Sequence, residues 1–236
     1  VVTCQGCAEP VNFYRSLEEA NWRKSAMRCP KCNEALATRN SKRIGEEPVL
    51  DTLASDCSPT LLDQIPTPVA QAVPIEGLDW PNVEIGSDRQ MFQASALGRH
   101  NLRTVADFFS RRNLAALAAL RKAVGSTPDD ALRAKLMFAF TAILGRASKR
   151  YQWSRQRPLN AANHTYYIAP VFYEWNVFDL FSRKIEALIR SDDYIRSLMA
   201  AQGLDQLPDV QYVVASAESL SLDDESVDYV FTDPPF

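Results

Sequence analysis

No apolar run in the 236 residues approaches the roughly 20 that a membrane-spanning helix needs. Glycine is scarce, with eight residues and no Gly-x-Gly pair. The sequence therefore contains no glycine-rich loop of the kind that lets a backbone wrap a cofactor's phosphates or methionine end. The two histidines, His100 and His164, stand alone, and each reads as structural rather than as a ligand. An excess of basic charge is also missing. The net charge of −3 and pI near 5.5 argue against holding nucleic acid by overall charge, while leaving room for a local basic patch. There is no internal repeat, no low-complexity tract and no signal-peptide pattern at the start.

Five cysteines are present, an odd number, and four of them form two Cys-x-x-Cys pairs. Cys4 and Cys7 are separated from Cys29 and Cys32 by 21 residues, close to the usual four-cysteine zinc spacing. Each pair can close a tight knuckle on one ion, and four thiolates complete a tetrahedral site with no open position. A redox pair is the competing reading, but two pairs make it less economical. Knuckles often carry glycine just after the second cysteine, where the backbone turns left-handed. Here those positions hold Ala8 and Asn33. Asparagine tolerates the conformation and alanine does so poorly. Cysteines used as metal ligands rather than disulfides point to the cytoplasm. Cys57 reads as a small buried hydrophobe.

The chain divides into four stretches: a zinc ribbon over 1–44, a proline-rich connector over 45–92, a helical region over 93–200 and a C-terminal piece over 201–236. Six of the fourteen prolines lie between Pro48 and Pro81, so the connector is expected to be extended, with at most one short helix. In the helical region Asn113 is placed to cap a first helix that Gly125 ends. Pro128, Asp129 and Asp130 start a second, with Leu132, Leu136, Phe140 and Ile143 as its buried stripe. A third runs from about Glu174 to Ala200, with Phe178, Phe181, Ile185 and Leu188 on one face. The period then changes. "VQYVVAS" (210–216) and "VDYVFTD" (227–233) read as buried strands joined by a short helix or loop, the grammar of an α/β sheet.

The second of these runs leads into Asp233-Pro234-Pro235-Phe236. The prolines stiffen the turn and leave carbonyls without local donors. An Asp233 carboxylate and a Pro234 carbonyl can accept both N–H donors of an exocyclic amine, and Phe236 can stack on a base swung out of its helix. The plainer reading is a proline turn after an edge strand; the stretch before the motif decides between the two.

That stretch and the motif resemble the amino-methyltransferases that act on nucleic acids, whose motif IV reads Asp/Asn/Ser-Pro-Pro-Tyr/Phe. The whole arrangement is similar to large bacterial adenine-specific DNA methylases that contain a zinc ribbon. It comprises the cysteine pairs, "QASALGRHNLRTVADFFSRRNLAAL" (93–117), "TYYIAPVFYEWNVFDLF" (165–181) and the terminal motif. The resemblance implies a mixed fold: an N-terminal zinc ribbon, a largely α-helical middle, and the start of a Rossmann-like α/β sheet that binds S-adenosylmethionine. It implies methyl transfer to adenine N6 of DNA, with Asp233 and Pro234 binding the amine, Pro235 shaping the loop and Phe236 stacking on the base. At the first strand end the family often has an acid for the cofactor's adenine; here that position is Ser216, which offers one hydrogen bond. The family's glycine loop has no counterpart in this sequence. Both ends read as cuts, so the expectation is an internal piece of a longer protein, inactive by itself.

A last cluster lies between 145 and 167. Arg150, Trp153, Arg155 and Arg157 interleave cations with an aromatic, a pattern suited to phosphates and bases. The plainer reading is a helix C-terminus favoured by cations, followed by a loop. The expected partner is DNA, with no membrane contact. The rivals are a cytosine-N4 or RNA-base methyltransferase and, from another class, a zinc-dependent nucleic-acid-binding module without catalysis.

Overall fold

The computed structural model describes residues 1–37, 41–55, 58–64, 77–80, 82–95, 97–153, 166, 168–204, 210–216 and 218–233. It divides into a unit of Val1–Arg190 and a unit of Ser191–Phe236.

The first unit begins with β1 (Val2–Thr3) and β2 (Pro10–Val11), paired antiparallel with Val2 opposite Val11. The helix α1 (Phe13–Glu19) follows at once. Asn12 starts it, its side-chain oxygen accepting from the Arg15 N–H at 3.1 Å. The inward face carries Phe13, Ser16 and Leu17, spaced by three or four residues. Asn21, left-handed at φ 48°, ends the helix, with its N–H on the Glu18 carbonyl and the Trp22 N–H on Leu17. This is the Schellman pattern that satisfies the last carbonyls. Residues 42–44 return along β1, with the Thr3 N–H donating to the Lys42 carbonyl. The small core is Val2, Cys4, Val11, Phe13, Leu17, Met27, Cys29 and Leu36.

In the connector the structure differs from expectation. β3 (Asp51–Ser55) and β4 (Ser58–Gln64) form an antiparallel hairpin, Asp51 opposite Gln64, with a register shift between Leu53 and Ser55. Proline-rich sequence does not exclude this, because each strand of a two-stranded ribbon keeps a free edge that needs no N–H donor.

The helical part holds α2 (Gln90–Ala94), α3 (Arg111–Gly125), α4 (Asp130–Ala147) and α5 (Val177–Ala201), the last ending in the second unit. α4 starts as expected, with Asp129 capping the Leu132 N–H at 2.7 Å. α3 does not. Its cap is Ser110, which accepts from Asn113, and Asn113 is buried within the first turn. There its amide donates to the Ala147 carbonyl (2.9 Å) and the Trp175 carbonyl (3.1 Å), joining α3 to the end of α4 and the approach to α5. Asn113→Ala is therefore expected to cost about 1–3 kcal/mol, because a buried carbonyl and a half-buried one lose their donor. Ser110→Ala costs about 1 kcal/mol, as a lost cap. Urea unfolding midpoints of the two variants rank the positions.

Leu117, Leu120, Val124, Phe140, Ile143, Ala147, Val177 and Leu180 form the helical core. Four members of the expected stripes belong neither to it nor to the residues packed against it: Leu132, 50% exposed, Phe178, 54% exposed, and the half-buried Ile185 and Leu188. Leu132 sits in the first turn of α4. On α5 the buried pair is Val177 and Leu180 instead. A second cluster gathers Leu97, Leu102, Phe108 and Ile168. The segment after the ribbon is tied down by charge. Arg43 donates to the Ala169 carbonyl at 2.7 Å, and buried Lys149 reaches Glu46 at 2.5 Å and the Asp107 carbonyl at 2.9 Å. Burial alone would raise the Asp107 pKa. The N–H groups of Arg103 and Thr104, the Thr104 hydroxyl and the Lys149 charge outweigh it and hold the carboxyl below its ordinary value.

The second unit corrects the expected sheet. Residues 210–216 and 227–233 pair with no strand among the described residues, and their only bridge joins Ser216 to Ser219. Tyr212, Val213, Val214, Tyr229, Val230 and Phe231 are all exposed. A strand is not a property of one segment. Its N–H and C=O groups need neighbours, and a run apolar on consecutive residues needs cover on both faces. No Rossmann-like sheet is present among the described residues, which are mostly helical with two small two-stranded sheets. None of the helices described is long and apolar enough to cross a membrane.

Candidate metal centre

The four paired cysteines converge. Their Sγ atoms all lie within 4.8 Å of one another, with Cys4 to Cys32 and Cys7 to Cys29 each at 3.6 Å. Four thiolates around one ion with metal–sulfur bonds near 2.3 Å require sulfur separations of about 3.8 Å. The cluster is therefore close to its ligating size, and the cysteines are positioned to bind a metal ion.

Two loops of the same design build it. In the first, the Cys4 N–H donates to the Glu9 carbonyl (2.9 Å) and the Ala8 N–H to the Cys4 carbonyl (3.0 Å). In the second, Cys29 donates to Glu34 (2.8 Å) and Asn33 to Cys29 (2.9 Å). The left-handed positions are Ala8 at φ 58° and Asn33 at φ 59°, the residues the spacing marks. β1 and β2 flank the first loop, and a bridge between Arg28 and Ala35 closes the second. Ala8 adopts the knuckle conformation despite its Cβ. Ala8→Gly is accordingly expected to stabilise the metal-loaded ribbon by about 1 kcal/mol, and Ala8→Val to destabilise it by at least as much. Hydrogen exchange of residues 1–37 in mild urea checks both.

The sulfurs differ in their fields. The Cys32 N–H, opposed by burial and aided by the Lys31 N–H and neighbouring thiols, pulls the Cys29 thiol down to about 7. At Cys32 the Glu34 N–H works downward, but hydrogen bonding with Cys7, burial and the other thiols push the group up to about 12. Cys7 is raised as well: the Glu9 N–H lowers it, and burial with the Cys29 and Cys4 sulfurs prevails. The raised values at Cys7 and Cys32 describe crowded sulfur that a cation would relieve, and the lowered one at Cys29 a thiolate favoured by backbone N–H groups. Lys31 closes the rim with an exposed ion pair to Glu9 at 2.7 Å.

Of the other candidates, only some lie among the described residues. Asp233 is exposed at the end of the second unit, while Pro234, Pro235 and Phe236 lie outside the described residues, as do Arg155, Arg157, His164 and Cys57. Ser216 is exposed, and its hydroxyl accepts from the Glu218 N–H at 3.3 Å, a local turn. Arg150 is half-buried just beyond α4. His100 borders a cleft of about 260 Å³ with Arg43, Glu46, Asp107 and Lys149, whose charges are committed to holding the fold.

Trp153 has partners that sequence reasoning did not find. Its ring lies 5.4 Å from Tyr14 and 5.2 Å from Trp22, and Tyr14 and Trp22 meet edge-on at 5.4 Å. Trp22 itself is left-handed at φ 65°, which the Schellman ending of α1 does not require. For a bulky side chain that conformation costs about 1–2 kcal/mol. The available signal was the repeated aromatic–cation dipeptide, Tyr14-Arg15 and Trp22-Arg23.

No known family, curated protein or solved structure matches this chain.

Proposed function

We propose that residues 1–44 are a structural zinc ribbon, and that the chain serves an S-adenosylmethionine-dependent methyltransferase acting on an exocyclic amine of DNA, adenine N6. The observation that carries the ribbon is the matched pair of knuckles, which surround four convergent sulfurs and leave no position for a substrate. Its zinc holds the fold rather than taking part in a reaction.

The methyltransferase half rests on the C-terminal sequence. Two runs apolar on consecutive residues, with those residues exposed, suit interior strands of a covered parallel sheet. The second run delivers Asp233, whose carboxylate is an acceptor for an amine. Bound S-adenosylmethionine would supply an electrophilic methyl group. The chain's own task is then to hold the amine nitrogen with its lone pair aimed at that carbon, which positioning alone can achieve. A second reading is a zinc ribbon module that binds nucleic acid without catalysis, which the convergent cysteines by themselves support.

The test uses protein expressed from its complete reading frame, loaded with zinc, and incubated with DNA and methyl-labelled S-adenosylmethionine. Mass spectrometry of the digested nucleosides is expected to show N6-methyladenine. N4-methylcytosine or a methylated RNA base would move the target, and oligonucleotide binding without methyl transfer would leave the binding module.

A further inference from the structure

We propose that Tyr14, Trp22 and Trp153, flanked by Arg15, Arg23 and Lys24, form a surface for single-stranded nucleic acid, the aromatics taking bases and the cations phosphates. The inference shares with the proposed function only the nature of the partner, and holds whether or not Asp233 takes part in methyl transfer.

Three observations converge on it. The first is placement. Trp153, which follows α4, packs against Tyr14 from α1 and Trp22 from the loop beyond it, so residues more than 130 positions apart make one aromatic group. All three rings remain half-buried rather than enclosed, leaving part of each in solvent. A ring group needed only as packing would be expected inside a core, whereas Trp22 merely borders the ribbon's core and Trp153 and Tyr14 are in none.

The second is charge. Residues 12–31 carry five cations, Arg15, Arg23, Lys24, Arg28 and Lys31, against two carboxylates, Glu18 and Glu19, within a chain of net charge −3. All five cations are exposed. Lys31 is paired with Glu9, and Arg28 donates to the Met27 carbonyl. Arg15, Arg23 and Lys24 have no ion pair among the described residues. Two of them directly follow the aromatics Tyr14 and Trp22 in sequence. A locally cationic stretch in an acidic protein suits a polyanion, and aromatics among the cations suit one with unpaired bases.

The third is strain. Trp22 is held in the left-handed region, although the end of α1 needs only Asn21 there. The indole carried by this strained residue packs against Tyr14 and Trp153. Strained backbone kept in a folded protein tends to mark a binding position.

The experiment is fluorescence anisotropy of labelled 20-nucleotide single strands with the zinc-loaded protein and no S-adenosylmethionine. The ligand series is DNA, RNA, and a DNA of the same length made of abasic sites, which keeps phosphates and lacks bases. The base-bearing strands are expected to bind at least tenfold more tightly than the abasic strand and to quench indole fluorescence. The triple variant Arg15→Glu, Arg23→Glu, Lys24→Glu touches only exposed side chains and should fold. It is expected to weaken binding by more than tenfold and to lower the slope of log K against log salt by about 2, as three lost phosphate contacts require. Equal binding of the abasic strand, or an unchanged salt slope in the triple variant, overturns the proposal. So does the absence of binding to either base-bearing strand. Because methyl transfer is not measured, an inactive Asp233 motif leaves the result unaffected.

Discussion

Cys29→Ser is expected to remove the metal and unfold the ribbon while α3 and α4 stay folded. Cys29 is almost fully buried, and its backbone makes both hydrogen bonds of the second knuckle. A ribbon core of eight residues, two of them ligands, is too small to hold without the ion. Structural zinc sites contribute roughly 10–16 kcal/mol of apparent binding energy, which is folding energy when the apo form is disordered. Metal content should fall from about one per chain to near zero. Amide protection should vanish at Cys4, Ala8, Cys29 and Asn33, and persist in α3 and α4, whose core shares no residue with the ribbon's. Cys57→Ser serves as the control and should keep the metal. Acid should act as a chelator does. Cys7 and Cys32 carry raised pKa values, so they hold protons at neutral pH until metal displaces them, and apparent affinity falls as pH falls. A ribbon that stays folded and protected without metal would falsify the assignment.

The second large effect concerns Asp233. On the proposed reading, Asp233→Ala lowers methyl transfer by roughly 10²–10³, the usual loss when a preorganised group at the reacting atoms is removed. Affinity for DNA should stay nearly unchanged, since phosphate contacts supply most of it and Asp233 would meet only the extruded base. Phe236→Ala should act differently. It removes a stacking partner, weakening capture of the base by about 1–3 kcal/mol, and Phe236→Tyr should be tolerated because the π-face remains. Single-turnover rates and oligonucleotide affinities, measured on the same preparations, separate the two roles. Wild-type turnover in Asp233→Ala would reduce the motif to a proline turn and leave the binding module as the reading.

Much of the metal centre was legible in the sequence. Ligand spacing is a local constraint: two residues between cysteines set a knuckle, and the knuckle sets the left-handed positions that Ala8 and Asn33 occupy. The start of α4 was legible for the same reason, because Asp129 caps an N–H only three residues ahead. Ser110 and Asn113 show where local reasoning stops. Either can cap a helix, and they stand three residues apart. The carbonyls of Ala147 and Trp175, arriving from 34 and 62 residues away, draw Asn113 inward and leave the cap to Ser110. The exposure of Leu132 and Phe178 was decided likewise, since periodicity names a face but not which of its positions the neighbours cover. Sequence determined that 210–216 and 227–233 are apolar on consecutive residues; pairing depends on other strands, which local pattern cannot supply. The meeting of Tyr14, Trp22 and Trp153 belonged wholly to tertiary structure, because no spacing rule joins rings so far apart in the chain.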